Sequence, residues 1–233
     1  MGKDVIIACD FSSAEKVYSF LDKFGEKRPF LKIGMELFYK EGSQMVKELK
    51  NRGHKIFLDL KLHDIPNTVR KAMFNIGAMD VDITNVHAAG GIRMMQEARL
   101  GLAEGAESKG YQPAQLIAVT QLTSTDQEML ETELLIKEPI ADVVKKYAEN
   151  AKKAGLDGVV CSPLEAPIMR LLDLISVTPG IRLLGDSVND QKRVSTPEGA
   201  KNMGSTYIVV GRSITAADNP LEAYERCVAE FCD

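Results

Sequence analysis

The sequence predicts an α/β fold, a (β/α)8 TIM barrel made by residues 1–233 as a single domain, and three observations carry that prediction. Eight short stretches rich in Val, Ile and Leu recur along the chain, several of them apolar on both faces. Parallel strands covered by helices have that character. Amphipathic patterns of helical period lie between the stretches. Strand after strand then ends in a residue able to do chemistry, as in a barrel whose C-terminal rim carries the active site.

Taken in order, strands are expected over 5–9, 30–33, 55–60, 81–86, 116–120, 158–161, 174–178 and 207–210. After the first, Ser12 and Glu15 have the spacing of a capping box, and Val17, Phe20, Leu21 and Phe24 form an apolar stripe. The clearest helix follows Pro139: Ile140, Val143, Val144, Tyr147, Ala148, Ala151 and Ala154 repeat at three and four. It is expected to stop at Gly155, where a left-handed cap costs little. Gly90–Gly91 either brings backbone close to a ligand or turns the chain into a helix. An open doubly wound sheet is the competing architecture, but neither GxGxxG nor GxxxxGK[ST] follows the first strand. No linker or low-complexity segment divides the chain.

Composition narrows the function classes. With 45% apolar and 27% charged residues the chain can bury a core without metal or disulfide staples. Its formal net charge of −4 gives no bulk attraction to nucleic acid or an anionic membrane. The longest apolar run, Val5 to Cys9, is five residues, too short to span a bilayer. That run begins so early that no signal peptide is expected. Cys9, Cys161, Cys227 and Cys232 show no CxxC spacing, so they read as incidental thiols in a reducing, cytoplasmic setting. His87 reads as structural, His63 has no evident role, and His54, just before a strand, is expected at the surface. Met94 and Met95 read as packing, and Lys145, Lys146, Lys152 and Lys153 as the solvated face of a helix.

The strand ends supply the chemistry: Asp10, Lys32, Asp59 with Lys61, His87, Thr120 and Thr123, Ser162, Thr178, then Gly211 with Arg212. The phosphate site of such barrels usually follows strands seven and eight. Here those ends read TPGIR and VVGRS, with glycines that let amides approach an anion and with Arg182 and Arg212 as planar cationic donors. A phosphate monoester ligand is expected.

The stretch DLKLHDIPNT, residues 59–68, is the most informative. Alternation along a strand puts Phe57, Asp59 and Lys61 on one face and Leu58 and Leu60 on the other. Asp64 follows on the loop, and Pro66 suits the first turn of the next helix. With Lys32 on the neighbouring strand, the result is an alternating Lys–Asp–Lys–Asp array. Flanking carboxylates favour a charged Lys61 ammonium, a proton donor rather than a Schiff-base nucleophile. The bland alternative is a structural salt-bridge network at the rim.

DLKLHDIPNT, together with ACDF at the first strand, LKIG at the second, TPGIR at the seventh and VVGRSI at the eighth, resembles the bacterial-type orotidine 5'-phosphate decarboxylase family from end to end. DxKxxD alone is shared with related sugar-phosphate barrels; IPNT and the GIR…DQ…GRS set make the resemblance specific. It implies a carboxy-lyase that converts orotidine 5'-phosphate to uridine 5'-phosphate and carbon dioxide, the last step of de novo pyrimidine nucleotide synthesis, with no cofactor and no metal. By the same resemblance Lys61 protonates C6, Asp59 lies near the substrate carboxylate, and Lys32 joins the network and touches the ribose. Asp10 accepts from a ribose hydroxyl, Thr123 lies at the pyrimidine, and Arg182, Gln191, Gly211 and Arg212 grip the phosphate. Asp64, Ile65 and Thr68 reach across a homodimer interface. Residues 185–190 (GDSVND) suit a phosphate lid that brings Gln191 over the ligand.

Two rivals remain at this stage. One is a sugar-phosphate lyase or isomerase of similar barrel in which the DxKxxD acids hold magnesium. The other is a non-catalytic phosphoribosyl-ligand sensor, against which the intact lysines and acids argue.

Overall fold

A computed structural model describes residues 2–184 and 194–233. Among these residues the chain alternates strand and helix. The first half runs β1 (Asp4–Ala8), α1 (Ala14–Leu21), β2 (Phe30–Gly34), α2 (Met35–Asn51), β3 (Ile56–Leu62), α3 (Pro66–Gly77), β4 (Ile83–His87) and α4 (Gly91–Glu107). The second half runs β5 (Gln115–Val119), α5 (Gln127–Thr132), α6 (Ile140–Lys153), β6 (Gly158–Val160), α7 (Ala166–Leu171), β7 (Ile175–Thr178), α8 (Pro197–Met203), β8 (Tyr207–Val210), α9 (Arg212–Thr215) and α10 (Pro220–Cys232).

The eight strands pair in parallel in chain order, and β8 closes on β1 with Asp4 opposite Tyr207 and Ile7 opposite Val210. The expected barrel is therefore present, with strand limits shifted by a residue or two. No helix among the described residues is long and apolar enough to cross a membrane.

Side-chain alternation divides the apolar residues into two cores. Val5, Ile7, Leu31, Ile33, Leu58 and Leu60 point outward and pack beneath the helices. Ile6, Ala8, Phe30, Phe57, Ile83, Ile117, Val177, Tyr207 and Val209 fill the barrel interior. Two residues further along the inward face stand Asp10 after Ala8, Lys32 after Phe30, Asp59 after Phe57, Asn85 after Ile83 and Gly211 after Val209. The interior is thus apolar at its base and polar at its C-terminal mouth.

The helices follow the sequence patterns with one correction. Val17, Phe20 and Leu21 of α1 are buried, but its N-cap is Ser13, whose hydroxyl accepts from the Lys16 amide. Ser12 instead accepts from the Lys16 ammonium, 2.8 Å away, so the capping box starting at Ser12 does not form. In α6, Val143, Val144, Ala148 and Ala151 are buried, the four lysines are exposed, and Gly155 follows with φ 80°. Gly90 and Gly91 turn the chain into α4, the second with φ 81°. Met94 and Met95 are core residues. Helices α3 and α4 approach so closely that a Cβ on Gly101 or Gly105 would collide with the carbonyl of Arg70 or Phe74.

His54 is a second correction. It is buried, with Nδ1 3.0 Å from the Pro29 carbonyl oxygen, and burial lowers its pKa. The turn before β3 packs it against the segment entering β2, a tertiary neighbour that local sequence does not reveal.

Candidate active site

Two adjoining cavities open at the C-terminal mouth. The first, about 240 Å³, is bounded by Lys32, Asp59, Lys61 and Thr123 and by apolar groups including Phe57 and Val119. The second, about 360 Å³, is bounded by Asp10, Lys32, Gly180, Arg182, Gly211 and Arg212. Lys32, Pro179 and Val209 belong to both walls, so the two cavities adjoin, one mixing charged with apolar groups and the other lined by two arginines.

The charges form a continuous chain. Lys32 Nζ lies 3.0 Å from Asp10 Oδ1 and 3.5 Å from Asp59 Oδ2. Lys61 Nζ lies 2.6 Å from Asp59 Oδ1. The sequence in space is Asp10–Lys32–Asp59–Lys61, from an exposed acid to a buried one. Burial alone would raise the Asp59 pKa, but Lys32, Lys61 and hydrogen bonds from Lys61 and Asn85 outweigh it, leaving the carboxyl below its usual range. Burial likewise opposes charge on Lys32, and Asp59 and Asp10 overcome it, so its pKa is raised. Both groups stay ionised in a poorly solvated place because each is paired.

The strand does more than alternate. Lys61 has φ 51°, left-handed for a residue that carries a long side chain. Across the β3–β4 seam Leu58 pairs with Thr84 and Leu62 with Val86, so three residues of β3 face one residue of β4. Alternation accounts for Asp59 and Lys61 facing the mouth, and the bulge adds the left-handed turn of the Lys61 backbone, which a regular strand does not predict.

The other expected residues fall as follows. Asp64, Ile65 and Thr68 are exposed at the rim and bound neither cavity of this chain. The fourth member of the expected array is therefore Asp10 within one chain, not Asp64. Ile65 supplies the backbone before α3, with Pro66 in its first turn as anticipated. Gln191 and residues 185–190 lie outside the described residues. The His87 and His63 rings lie 5.8 Å apart, tilted by 39°, and burial followed by the His63 and Lys61 charges lowers the His87 pKa. Cys9, next to Asp10, is buried and its thiol is pushed up to about 12, chiefly by burial, which leaves it inert.

Sequence reasoning overlooked Asn85. It is completely buried, accepts from the Lys61 amide at 2.8 Å and donates to Asp59 Oδ1 at 2.7 Å. The available signal is an amide in the middle of a buried strand, at the inward position two residues after Ile83.

Comparison with known proteins gives concordant results. A family described as "Orotidine 5'-phosphate decarboxylase / HUMPS family" matches residues 3–227. The orotidine 5'-phosphate decarboxylase of Bacillus cytotoxicus is 54% identical over 228 residues, covering 97% of this chain and 95% of that protein. The crystal structure of orotidine 5'-phosphate decarboxylase from Lactobacillus acidophilus is 41% identical with a TM-score of 0.89, covering 99% of this chain and all of that one. An uncharacterized conserved protein from Geobacillus kaustophilus is 46% identical with a TM-score of 0.86, covering 97% and 99% of the two chains.

Proposed function

The chain belongs to the orotidine 5'-phosphate decarboxylase / HUMPS family, and from that premise we propose how its two cavities carry out the reaction. The enzyme releases carbon dioxide from orotidine 5'-phosphate to give uridine 5'-phosphate, the closing step of pyrimidine nucleotide synthesis. The observation that carries the site assignment is the Asp10–Lys32–Asp59–Lys61 chain, which lines the passage from the cavity above Phe57 to the arginine-lined one.

In this arrangement Arg182, Arg212 and the Gly211 backbone hold the phosphate, with Gln191 closing over it. Asp10 and Lys32 take the ribose hydroxyls. The pyrimidine enters the first cavity beside Thr123, with its carboxylate towards Asp59 and C6 towards Lys61. Cleavage of the C6–carboxylate bond releases carbon dioxide and leaves the electron pair on C6, in the ring plane, where the ring carbonyls are no simple sink. The Lys61 ammonium gives one proton to C6, completing the product, and the resulting amine regains a proton from solvent. A fixed ammonium in a water-poor site stabilises that charge far more than water does. Enzymes lower barriers by about 8–23 kcal/mol, and one contact cannot supply the upper part of that range. Binding energy from phosphate and ribose is needed to hold the cluster in place.

The same geometry weighs against a magnesium-binding rival. Both Asp59 oxygens already face ammonium groups, and Oδ1 also accepts from Asn85. A divalent cation would have to displace one lysine and sit beside the other.

We assign Asp64, Ile65 and Thr68 to the site of a partner subunit in a homodimer. What supports this is their exposure at the rim, with Ile65 67% exposed as a large apolar side chain. Four free thiols suit a cytosolic enzyme.

The direct test is loss of orotidine absorbance with one equivalent of carbon dioxide, using purified protein and no added cofactor. Lys61→Ala should nearly abolish turnover while still binding uridylate. Activity lost to EDTA and restored by magnesium supports the rival lyase. Nucleotide binding without turnover supports a sensor.

A further inference from the structure

The β3–β4 seam contains a bulge that two side chains of β4 close. Between the Leu58–Thr84 and Leu62–Val86 pairs, Asp59, Leu60 and Lys61 stand opposite Asn85 alone. At the lower edge the Thr84 hydroxyl donates to the Leu58 carbonyl at 3.0 Å. At the upper edge the Asn85 amide does two things at once. Its Oδ1 accepts the Lys61 N–H at 2.8 Å, and its Nδ2 donates to Asp59 Oδ1 at 2.7 Å. That carboxylate oxygen is the one that meets Lys61 Nζ at 2.6 Å. One buried amide therefore fixes both the backbone and the ion-pair partner of the lysine.

Resting on the decarboxylase reading of the site, we infer that Asn85 is a positioning residue for the reaction: its amide holds Lys61 in the left-handed backbone conformation and holds Asp59 in line with the Lys61 ammonium. The residue type follows from the demand. Lys61 needs an acceptor for an amide that the bulge removes from the ladder, and Asp59 needs a donor that brings no charge. Leucine supplies neither. Aspartate supplies the acceptor but sets a second carboxylate against Asp59. Glutamine adds a methylene where no space remains, since Asn85 is 0% exposed.

A neutral clasp also keeps the charge pattern balanced. The charged and titratable groups around Asp59 are Lys32 from β2, Lys61 from β3 and His87 from β4, with Asp10 beyond Lys32 after β1. Asp10 and Asp59 match Lys32 and Lys61 in number. A further carboxylate at position 85 upsets that match on the Asp59 side.

The test compares Asn85→Ala, Asn85→Asp and Thr84→Val with the unaltered enzyme, reading kcat, KM, uridylate affinity by calorimetry and the pH profile of kcat. Asn85→Ala is expected to lower kcat about 100-fold, the scale of an ångström-level misplacement, with uridylate affinity within about threefold. Asn85→Asp, nearly isosteric and able to fold where the alanine variant fails, is expected to lose kcat on the same scale. Its acid limb moves about one unit to higher pH, because neighbouring carboxylates share a proton. Thr84→Val loses a bond of the same bulge without touching the ion pairs and keeps kcat within about twofold of the parent. A folded Asn85→Asp enzyme with kcat and pH profile like the parent overturns the inference. So does a Thr84→Val enzyme as impaired as Asn85→Ala, since the role is then bulge integrity alone. If the unaltered protein fails to decarboxylate orotidine 5'-phosphate, the reading of the site falls first, and this inference with it.

Discussion

Lys61 Nζ meets Asp59 Oδ1 at 2.6 Å from a backbone whose φ is 51°, so the reactive ion pair of β3 sits on a left-handed residue. The left-handed conformation costs an L-residue roughly 1–2 kcal/mol, while glycine adopts it freely. Local strain of this kind is tolerated where surrounding contacts over-determine it. Lys61→Gly and Lys61→Ala should both lack measurable turnover. They should differ in stability, the glycine variant being more stable by about 0.5–1 kcal/mol after its greater unfolded-state freedom is subtracted. Urea unfolding of the two variants with product absent checks this. An alanine variant equal to or more stable than the glycine variant shows that the backbone turn is not strained.

Arg212 follows Gly211 at the end of β8 and shares the second cavity with Arg182. A charge-assisted hydrogen bond to phosphate contributes about 1.5–3 kcal/mol. Arg212→Ala should therefore lower kcat/KM about 10- to 100-fold. The loss should vanish when affinity for uridine, which has no phosphate, is compared between the two proteins. Equal kcat/KM for the variant and the parent takes Arg212 out of the phosphate grip.

Much of this site is legible in the sequence because it depends on strand period. Phe57, Asp59 and Lys61 share a face by alternation, and the same count places Lys32 above Phe30 and Asp10 above Ala8. What escapes is whatever two strands decide together. The bulge opposite Asn85 exists only in the pairing of β3 with β4, so the left-handed Lys61 has no local signature, and an inward amide in β4 does not by itself reveal what it clasps. His54 is lost for a similar reason, since its partner is the Pro29 carbonyl 25 residues away. Ser12 and Ser13 both suit a helix cap, and composition does not choose between adjacent serines. Asp64 joins the array in sequence but stands at the rim in space, in the short turn that leads through Ile65 into α3 at Pro66.

The rim position of Asp64 leads to a test of the shared site. In a dimer of one Lys61→Ala chain and one Asp64→Ala chain, one pocket loses both residues and the other keeps both. Random exchange of equal amounts makes about half the dimers mixed, each with one working pocket out of two. Activity should rise from near zero to about a quarter of the parent value as subunits exchange. If mixing restores nothing although mass spectrometry shows mixed dimers, Asp64 does not act across the interface.

The pH dependence follows from the two paired groups. Asp59 has a folded pKa below its usual value, since the lysines outweigh its burial. Its contribution to stability is present above the unfolded carboxylate pKa of about 3.9 and is lost as pH falls through the lower folded value. Lys32 has a folded pKa above its usual value, since Asp59 and Asp10 outweigh burial. Its contribution is present below about 10.4 and is lost as pH rises through the higher folded value. Between roughly pH 4 and 10 neither group changes charge, so neither places a limb in the kcat profile across that span. A limb near pH 6 belongs to the second ionisation of the substrate phosphate. In Asp59→Asn the two ammonium groups lose their shared counter-charge, and the variant should be less stable than the parent at pH 7. The gap should narrow as pH falls below the unfolded carboxylate value of about 3.9, because the unfolded parent then takes up a proton that the folded Asp59 carboxylate resists. Thermal melts of both proteins at half-unit steps from pH 7 to pH 3 measure the gap directly. A gap that stays constant over the whole series means that Asp59 is not ionised against Lys32 and Lys61 in the folded protein, and the proton-donor geometry then loses its electrostatic basis.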